Sequence, residues 1–234
     1  MTGLGAHYEL EVACRGNLGP QTGYLLDIKA IDRAARASAV PIIAEAFARS
    51  PQTQPGELLP SLVEAMAHEL RGTDVALVWK LSPYYRVEMS AADTRTVLLR
   101  QKFDFAAAHR LHNPDLSDEE NRELFGKCNS PTGHGHNYQV EPCVAVTLDA
   151  RGRQNLTARR LEELTARVLI DRFDHKHLNL DAPEFAPHTG VIPTVENIAR
   201  VFFDLLAPHI KDAGADLRSI TVWETDRTSC TYPD

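Results

Sequence analysis

In Gly133-His134-Gly135-His136-Asn137-Tyr138 two histidines stand two residues apart. On an extended strand that spacing puts both imidazoles on one face. The flanking glycines remove side-chain bulk, so a ligand or a second backbone can come close. Taken alone, the pattern fits two exposed or hydrogen-bonded histidines at a strand start as well as two metal ligands. A third histidine favours the metal. In Lys102-Phe103-Asp104-Phe105-Ala106-Ala107-Ala108-His109, the set Phe103, Phe105, Ala107 and His109 shares one face if the segment is a strand. Should this strand pair with the next, His109, His134 and His136 converge. Three neutral imidazoles leave a fourth coordination position open, the pattern of a catalytic zinc site, and such an ion polarises a hydroxyl or carbonyl.

Other reactive residue types lie nearby in the chain. Cys128 sits in Lys127-Cys128-Asn129-Ser130-Pro131-Thr132-Gly133, whose composition reads as a loop. A loop thiol beside Lys127 and a cation would have a lowered pKa and serve as base or nucleophile; a fourth metal ligand and an inert thiol are the alternatives. Cys143 falls on the strand face opposite His136, and Cys14 and Cys230 read as packing residues. Asp174-His175-Lys176-His177 follows a helical pattern, and an Asp–His pair can set a tautomer in a proton relay; a polar helix end is the plainer reading. Glu224 shares a strand face with Ile220 and Val222. An inward carboxylate needs a partner, either a protein Arg or Lys or a ligand with a guanidine-like edge that offers two parallel N–H groups.

These residues need strands and a helix scaffold to position them. The chain has 234 residues, 43% hydrophobic and 24% charged, enough to bury a core and unlike a disordered segment. Its formal net charge of −7 argues against a general nucleic-acid surface, so a polyanionic substrate has to meet a local cluster of cations. No apolar run reaches the roughly 20 residues of a membrane span, and Met1–Gly5 lacks the regions of a secretory signal. Four widely spaced cysteines suggest no disulfide framework, so the expected compartment is the cytoplasm.

Expected strands cover about Val97–His109, His136–Leu148 and Ser219–Glu224, with a short final strand. A helix is expected from about Thr157 to Phe173 and another after Pro193, N-capped by Thr194. In the first half Leu59, Leu62, Val63, Met66 and Leu70 form one helical stripe. Two internal similarities suggest duplication: Gly3–Glu11 aligns with Gly133–Glu141, and Val75–Lys80 with Ser219–Glu224. Two strands, two helices and two strands, repeated once, predict an α+β fold with antiparallel sheets. The expected domains are 1–93 and 94–234, joined near the polar stretch Ser90–Thr96.

Five motifs in order resemble the 6-pyruvoyl/6-carboxy-tetrahydropterin synthase family: Phe105–His109, Cys128 with five residues before His134–Tyr138, Asp174–Asn179, Pro193–Asn197 and Val222–Thr225. The resemblance covers about Val97–Asp234. It implies the tunnelling T-fold, an antiparallel four-stranded sheet with two helices that assembles with other copies into a homo-oligomeric barrel with sites between subunits. It implies zinc on His109, His134 and His136, proton transfer by Cys128, Asp174 and His175, and substrate binding by Glu224, Thr194 and Glu196, Glu224 anchoring the pterin ring. The family substrate is 7,8-dihydroneopterin triphosphate. Loss of triphosphate with internal redox leaves 6-pyruvoyl-tetrahydropterin; further cleavage of the side chain leaves 6-carboxy-tetrahydropterin on the queuosine route. The five-residue spacing resembles the pyruvoyl type. No nucleic acid or membrane partner is implied.

The chain departs from that family in carrying a second repeat. By the alignment, Leu4, Ala6 and Lys80 replace His134, His136 and Glu224, so the first half reads as a degenerate copy without zinc ligands. Thr22–Asp27 nevertheless resembles the family's turn into its first helix. Two other classes compete with the enzyme: a pterin- or purine-binding assembly protein that has lost turnover, and a structural oligomer with adventitious metal.

Overall fold

The computed structural model describes residues 8–233. The chain divides into two compact units, residues 1–100 with 145–157, and residues 101–144 with 158–234. The division follows packing and not one cut near residue 93.

The first unit begins with β1 (Glu9–Arg15). A helical segment follows: α1 (Ile28–Ala34), a π-helical turn (Ala35–Ala39) and α2 (Val40–Arg49). Asp27 starts it, its side chain accepting from the Lys29 amide at 3.0 Å, which satisfies one of the free N–H groups of a helix start. Then come α3 (Pro55–Glu69), β2 (Asp74–Ser82), β3 (Tyr85–Ser90) and β4 (Asp93–Gln101). β1 and β3 flank β2 in antiparallel register, Glu9 opposite Lys80 and Trp79 opposite Val87. The expected apolar stripe of α3 is buried, with Leu59, Leu62, Val63 and Met66 at 0% exposure. Facing it are Val75, Leu77, Trp79, Val87 and Met89, alternate residues of a half-buried sheet. The polar stretch Ser90–Thr96 is not a linker. A tight turn at Ala91-Ala92 passes directly from β3 into β4.

The second unit starts at β5 (Phe103–His109), separated from β4 only by Lys102. After α4 (Asp118–Phe125) comes the long β6 (His134–Thr147), whose last residues belong to the first unit. The remaining elements are α5 (Ala158–Thr165), a second π-helical turn (Ala166–Ile170), α6 (Asp171–Phe173), β7 (Lys176–His177), α7 (Leu178–Asp181), α8 (Val195–Asp212), β8 (Asp216–Thr225) and β9 (Thr228–Tyr232). The strand order in this unit is β9-β8-β6-β5-β7. β7 runs parallel to β5, an exception to the all-antiparallel expectation. The α+β expectation holds in both units. On the helix side of the sheet Phe105 stacks on Tyr138 at 5.0 Å and meets Phe202 of α8 at 5.5 Å, and Phe202 meets Phe173 at 4.8 Å. This aromatic layer is the floor on which the histidines stand.

The sequence alignment between the halves shifts in the structure. Glu224 lies on the helix side of β8 with the buried Ile220 and Val222, whereas Trp79 is the helix-side residue of β2 and Lys80 points the other way. There Lys80 bonds Glu9 at 2.9 Å and also Glu11. Lys80 therefore does not stand where Glu224 stands. The aligned Leu4 and Ala6 lie outside the described residues. Among the described residues no helix is long and apolar enough to cross a membrane.

Candidate metal and pterin site

β5 and β6 pair antiparallel with His109 opposite His134 and Ala107 opposite His136. A directly opposed pair brings two side chains of one face together, and the residue two further along the strand shares that face. The three ring centroids are 4.7, 5.1 and 4.6 Å apart. One nitrogen from each ring lies within 4.8 Å of the others. Gly133 makes the approach possible. Its φ is +69°, and a Cβ there would stand 2.7 Å from the His109 carbonyl oxygen and 2.7 Å from His177 Nε2, distances no side chain tolerates.

The hydrogen bonds of His109 set its tautomer. Nδ1 lies 2.8 Å from the Pro193 carbonyl oxygen, which can only accept, so Nδ1 carries the proton. Nε2 is left with its lone pair, 3.3 Å from His134 Nε2. The hydroxyl of fully buried Tyr138 lies 3.3 Å from the same Nδ1. Such a partner on the far nitrogen is how metal-ligating imidazoles are oriented. Burial pushes the His109 pKa down to about 4, and burial first, then His134, lowers that of His136 against the pull of Glu224. Both rings are neutral near pH 7, as ligands must be.

The donor set fits a zinc ion. Bonds of about 2.0–2.1 Å at a tetrahedral angle put two ligand nitrogens about 3.4 Å apart, close to the His109–His134 separation of 3.3 Å. His136 Nε2 is buried without a hydrogen-bond partner. An unpaired buried polar atom of this kind points to a missing ligand.

Glu224 is closer to the histidines than the sequence suggested. Its Oε1 lies 3.4 Å from His109 Nε2 and 3.6 Å from His136 Nε2. Among the described residues no Arg or Lys pairs with it; the carboxylate faces these ring edges and the Tyr138 hydroxyl.

Cys128 sits in a 3-10 turn (Gly126–Asn129). Its carbonyl accepts from the Leu111 amide at 2.8 Å, two residues beyond His109. The thiol pKa is raised, by burial first and then by the charge of Glu224. The expected lowering requires a cation at the cluster; from the protein groups alone, burial and the Glu224 carboxylate push the thiol up.

Asp174 and His175 lie between α6 and β7 and are bonded to Ala106 of β5. Asp174 Oδ1 accepts from the Ala106 amide at 2.8 Å, and its other oxygen meets His175 Nδ1 at 2.9 Å. The backbone bond first and then His175 hold the Asp174 pKa below its usual value. His175 has a φ of 55°, its amide donates to the Ala106 carbonyl at 2.6 Å, and its side chain is 83% exposed. Among the described residues no hydrogen bond joins this pair to Cys128. Thr194 caps α8, accepting from the Asn197 amide at 3.3 Å, and Glu196 is exposed in the first turn. The segment touches the site through Pro193.

Several positioning residues had no clear signal in the sequence. Asn179 clasps the backbone of Arg110, accepting from its amide at 2.8 Å and donating to its carbonyl at 3.1 Å. Buried Asn121 bonds Asn113, Leu116 and Ser117. Buried Asn129 donates to the Leu111 carbonyl at 2.7 Å. Ser117 and Glu120 form a capping box that a scan for Ser-x-x-Glu would have found.

Residues 98–234 match the family model described as 6-pyruvoyl tetrahydropterin synthase. The 6-pyruvoyl tetrahydrobiopterin synthase of Poecilia reticulata is 41% identical over 129 residues, 55% of this chain and 84% of that protein. The human protein of that name is 38% identical over 132 residues, 56% of this chain and 88% of that one. The solved structure of the Caenorhabditis elegans 6-pyruvoyl tetrahydropterin synthase is 34% identical, covers 58% of this chain and 94% of that chain, and superposes with a TM-score of 0.53. The span matched by the family model includes the three histidines, Cys128, Asp174, His175 and Glu224, and on that match the chain belongs to the 6-pyruvoyl tetrahydropterin synthase family.

Proposed function

We propose that this chain is a zinc-dependent tetrahydropterin synthase acting on 7,8-dihydroneopterin triphosphate, a lyase that expels triphosphate and leaves 6-pyruvoyl-tetrahydropterin. The observation that carries the reading is the convergence of His109, His134 and His136, with one nitrogen of each within 4.8 Å of the others, inside the family match.

Zinc held by these three residues would polarise the side-chain hydroxyls of the substrate and acidify the neighbouring C–H bonds. The protein does the rest. Glu224 receives the two N–H groups of the amino-pyrimidinone edge, the bidentate arrangement that suits a carboxylate. Thr194 and Glu196, at the start of α8 beside Pro193, would contact the substrate. Cys128 takes the proton; because Glu224 opposes the thiolate, its ionisation depends on positive charge arriving at the cluster. Asp174 fixes the tautomer of His175, which exchanges protons with the substrate.

The exposure of His175 supports a site completed between copies, in which the Asp174–His175 pair of one chain serves the cluster of another. A tandem T-fold chain suits a homo-oligomeric barrel in the cytoplasm. Each unit carries a strand, a helix broken by a five-residue π turn, a long helix and an antiparallel hairpin, in that order. π turns are rare enough that finding both at matching places favours duplication, with the first copy lacking zinc ligands.

Purified, zinc-loaded protein incubated with 7,8-dihydroneopterin triphosphate should release triphosphate, and mass spectrometry should identify the pterin. The five residues between Cys128 and His134 favour the pyruvoyl product; the carboxy product would move the protein to the queuosine route. Unchanged substrate beside bound zinc would remove the enzyme reading in favour of a silent pterin-binding protein.

A further inference from the structure

A cleft of about 590 Å³ opens in the segment between β5 and β6, lined by Arg110, Arg122, Lys127, Asp118 and Ser130 among others. Arg110 directly follows the ligand candidate His109, and Lys127 directly precedes Cys128. The cleft is therefore next to both reacting groups along the chain.

Its charge runs against that of the molecule. The net charge is −7, yet three cations and one carboxylate line this cleft. Some arginines elsewhere in the described structure, such as Arg36, Arg49 and Arg172, are paired with carboxylates. Arg110, Arg122 and Lys127 are not: among the described residues none of them forms an ion pair. Arg122 directs Nε to the Asp118 backbone carbonyl at 3.1 Å and not to its carboxylate. The Arg110 guanidinium is held in place, with Nε donating to the Asn129 carbonyl at 3.3 Å and Nη2 at 3.2 Å from His112 Nδ1. Cations left without anions, on a loop tied down by buried amides, form a preorganised site for an external polyanion.

We infer that this cleft binds the triphosphate tail of the substrate, with Arg110, Arg122 and Lys127 as the cations and the Ser130 hydroxyl as a neutral donor. The assignment rests on the reading of a pterin triphosphate as substrate. A polyphosphate satisfies the three cations together, and its place beside Cys128 puts the leaving group next to the residue that takes the proton. It also explains how a molecule of net negative charge accepts a strongly anionic substrate.

The test uses the zinc-loaded full chain, Arg122→Glu, Lys127→Glu and the double variant. Inorganic tripolyphosphate binding is followed by calorimetry, before and after zinc removal, so that chelation by the ion is separated from binding in the cleft. Each reversal should weaken it by about tenfold or more, the scale of a lost charge-assisted hydrogen bond. The same variants should raise KM for 7,8-dihydroneopterin triphosphate while binding unphosphorylated 7,8-dihydroneopterin and zinc as the parent chain does. Tripolyphosphate binding and KM that ignore both reversals would overturn the assignment and leave the enzyme reading intact. Tight, variant-sensitive tripolyphosphate binding without turnover would keep the anion site and sink the synthase reading. A parallel loss of unphosphorylated pterin or zinc would show a structural defect and overturn the claim for a triphosphate subsite.

Discussion

His109 shows how one side chain joins scaffold and chemistry. Its outer nitrogen is tied to the Pro193 carbonyl at 2.8 Å and its inner nitrogen faces the other two rings. Replacing any one of His109, His134 or His136 by Ala leaves a two-nitrogen site, and zinc content after dialysis should fall from about one per chain to near zero. Cys128→Ala should behave differently, keeping zinc while turnover falls at least about a hundredfold, the usual worth of a positioned acid or base. Loss of metal in that variant would make the cysteine a ligand instead. Asp174 gives a pH prediction. Its folded-state pKa is held below the unfolded value, so its contribution to stability is complete above the unfolded carboxylate range near 4 and disappears as pH falls through the lower, folded value. Urea midpoints of the parent chain should therefore drop more steeply below pH 4 than those of Asp174→Asn.

Among elements, the loop between β5 and β6 is the part that polar side chains hold together. Asn121 and Asn129 are nearly fully buried and spend their amides on backbone groups of the loop. Asn121→Ala removes the partners of the Asn113 amide and the Leu116 carbonyl and should cost about 1–3 kcal/mol. Because α4 leads into the turn that carries Cys128, the same change should speed labelling of Cys128 by a thiol reagent. The β6 start is as demanding. Gly133→Ala meets a carbonyl oxygen at 2.7 Å in a left-handed conformation, and should lower stability by about 1–2 kcal/mol or more while weakening zinc binding, since the strand start must shift.

For the whole molecule the two units make unequal contributions. Among the described residues the only group of three close ligand residues is His109, His134 and His136. Metal analysis should return about one zinc per chain whatever the oligomer. A repeat that binds zinc in both units would give two and would contradict the view of the first as scaffold. Mixing zinc-replete Cys128→Ala with His175→Ala chains, under conditions that exchange subunits, should restore part of the activity if sites form between copies. No recovery, with mixed oligomers demonstrated by mass, would place the whole catalytic set within one chain.

Much of this was legible in the residues alone. Alternating apolar residues up to His109, the His-x-His spacing and the helical stripes are local patterns, and local patterns follow from the two-residue and 3.6-residue periods of strand and helix. They were enough for three imidazoles on neighbouring strands, for the α+β class and for the helix that Thr194 caps. The rest depends on groups distant in sequence meeting in space. Folding alone brought the Pro193 carbonyl to His109, 84 residues away, and left the His175 side chain exposed. It turned Lys80 away from the face that Glu224 occupies, because one residue of register moves every side chain to the other side of a sheet. The raised thiol of Cys128 has the same origin: burial first, and then the charge of Glu224, 96 residues away in sequence, push it up.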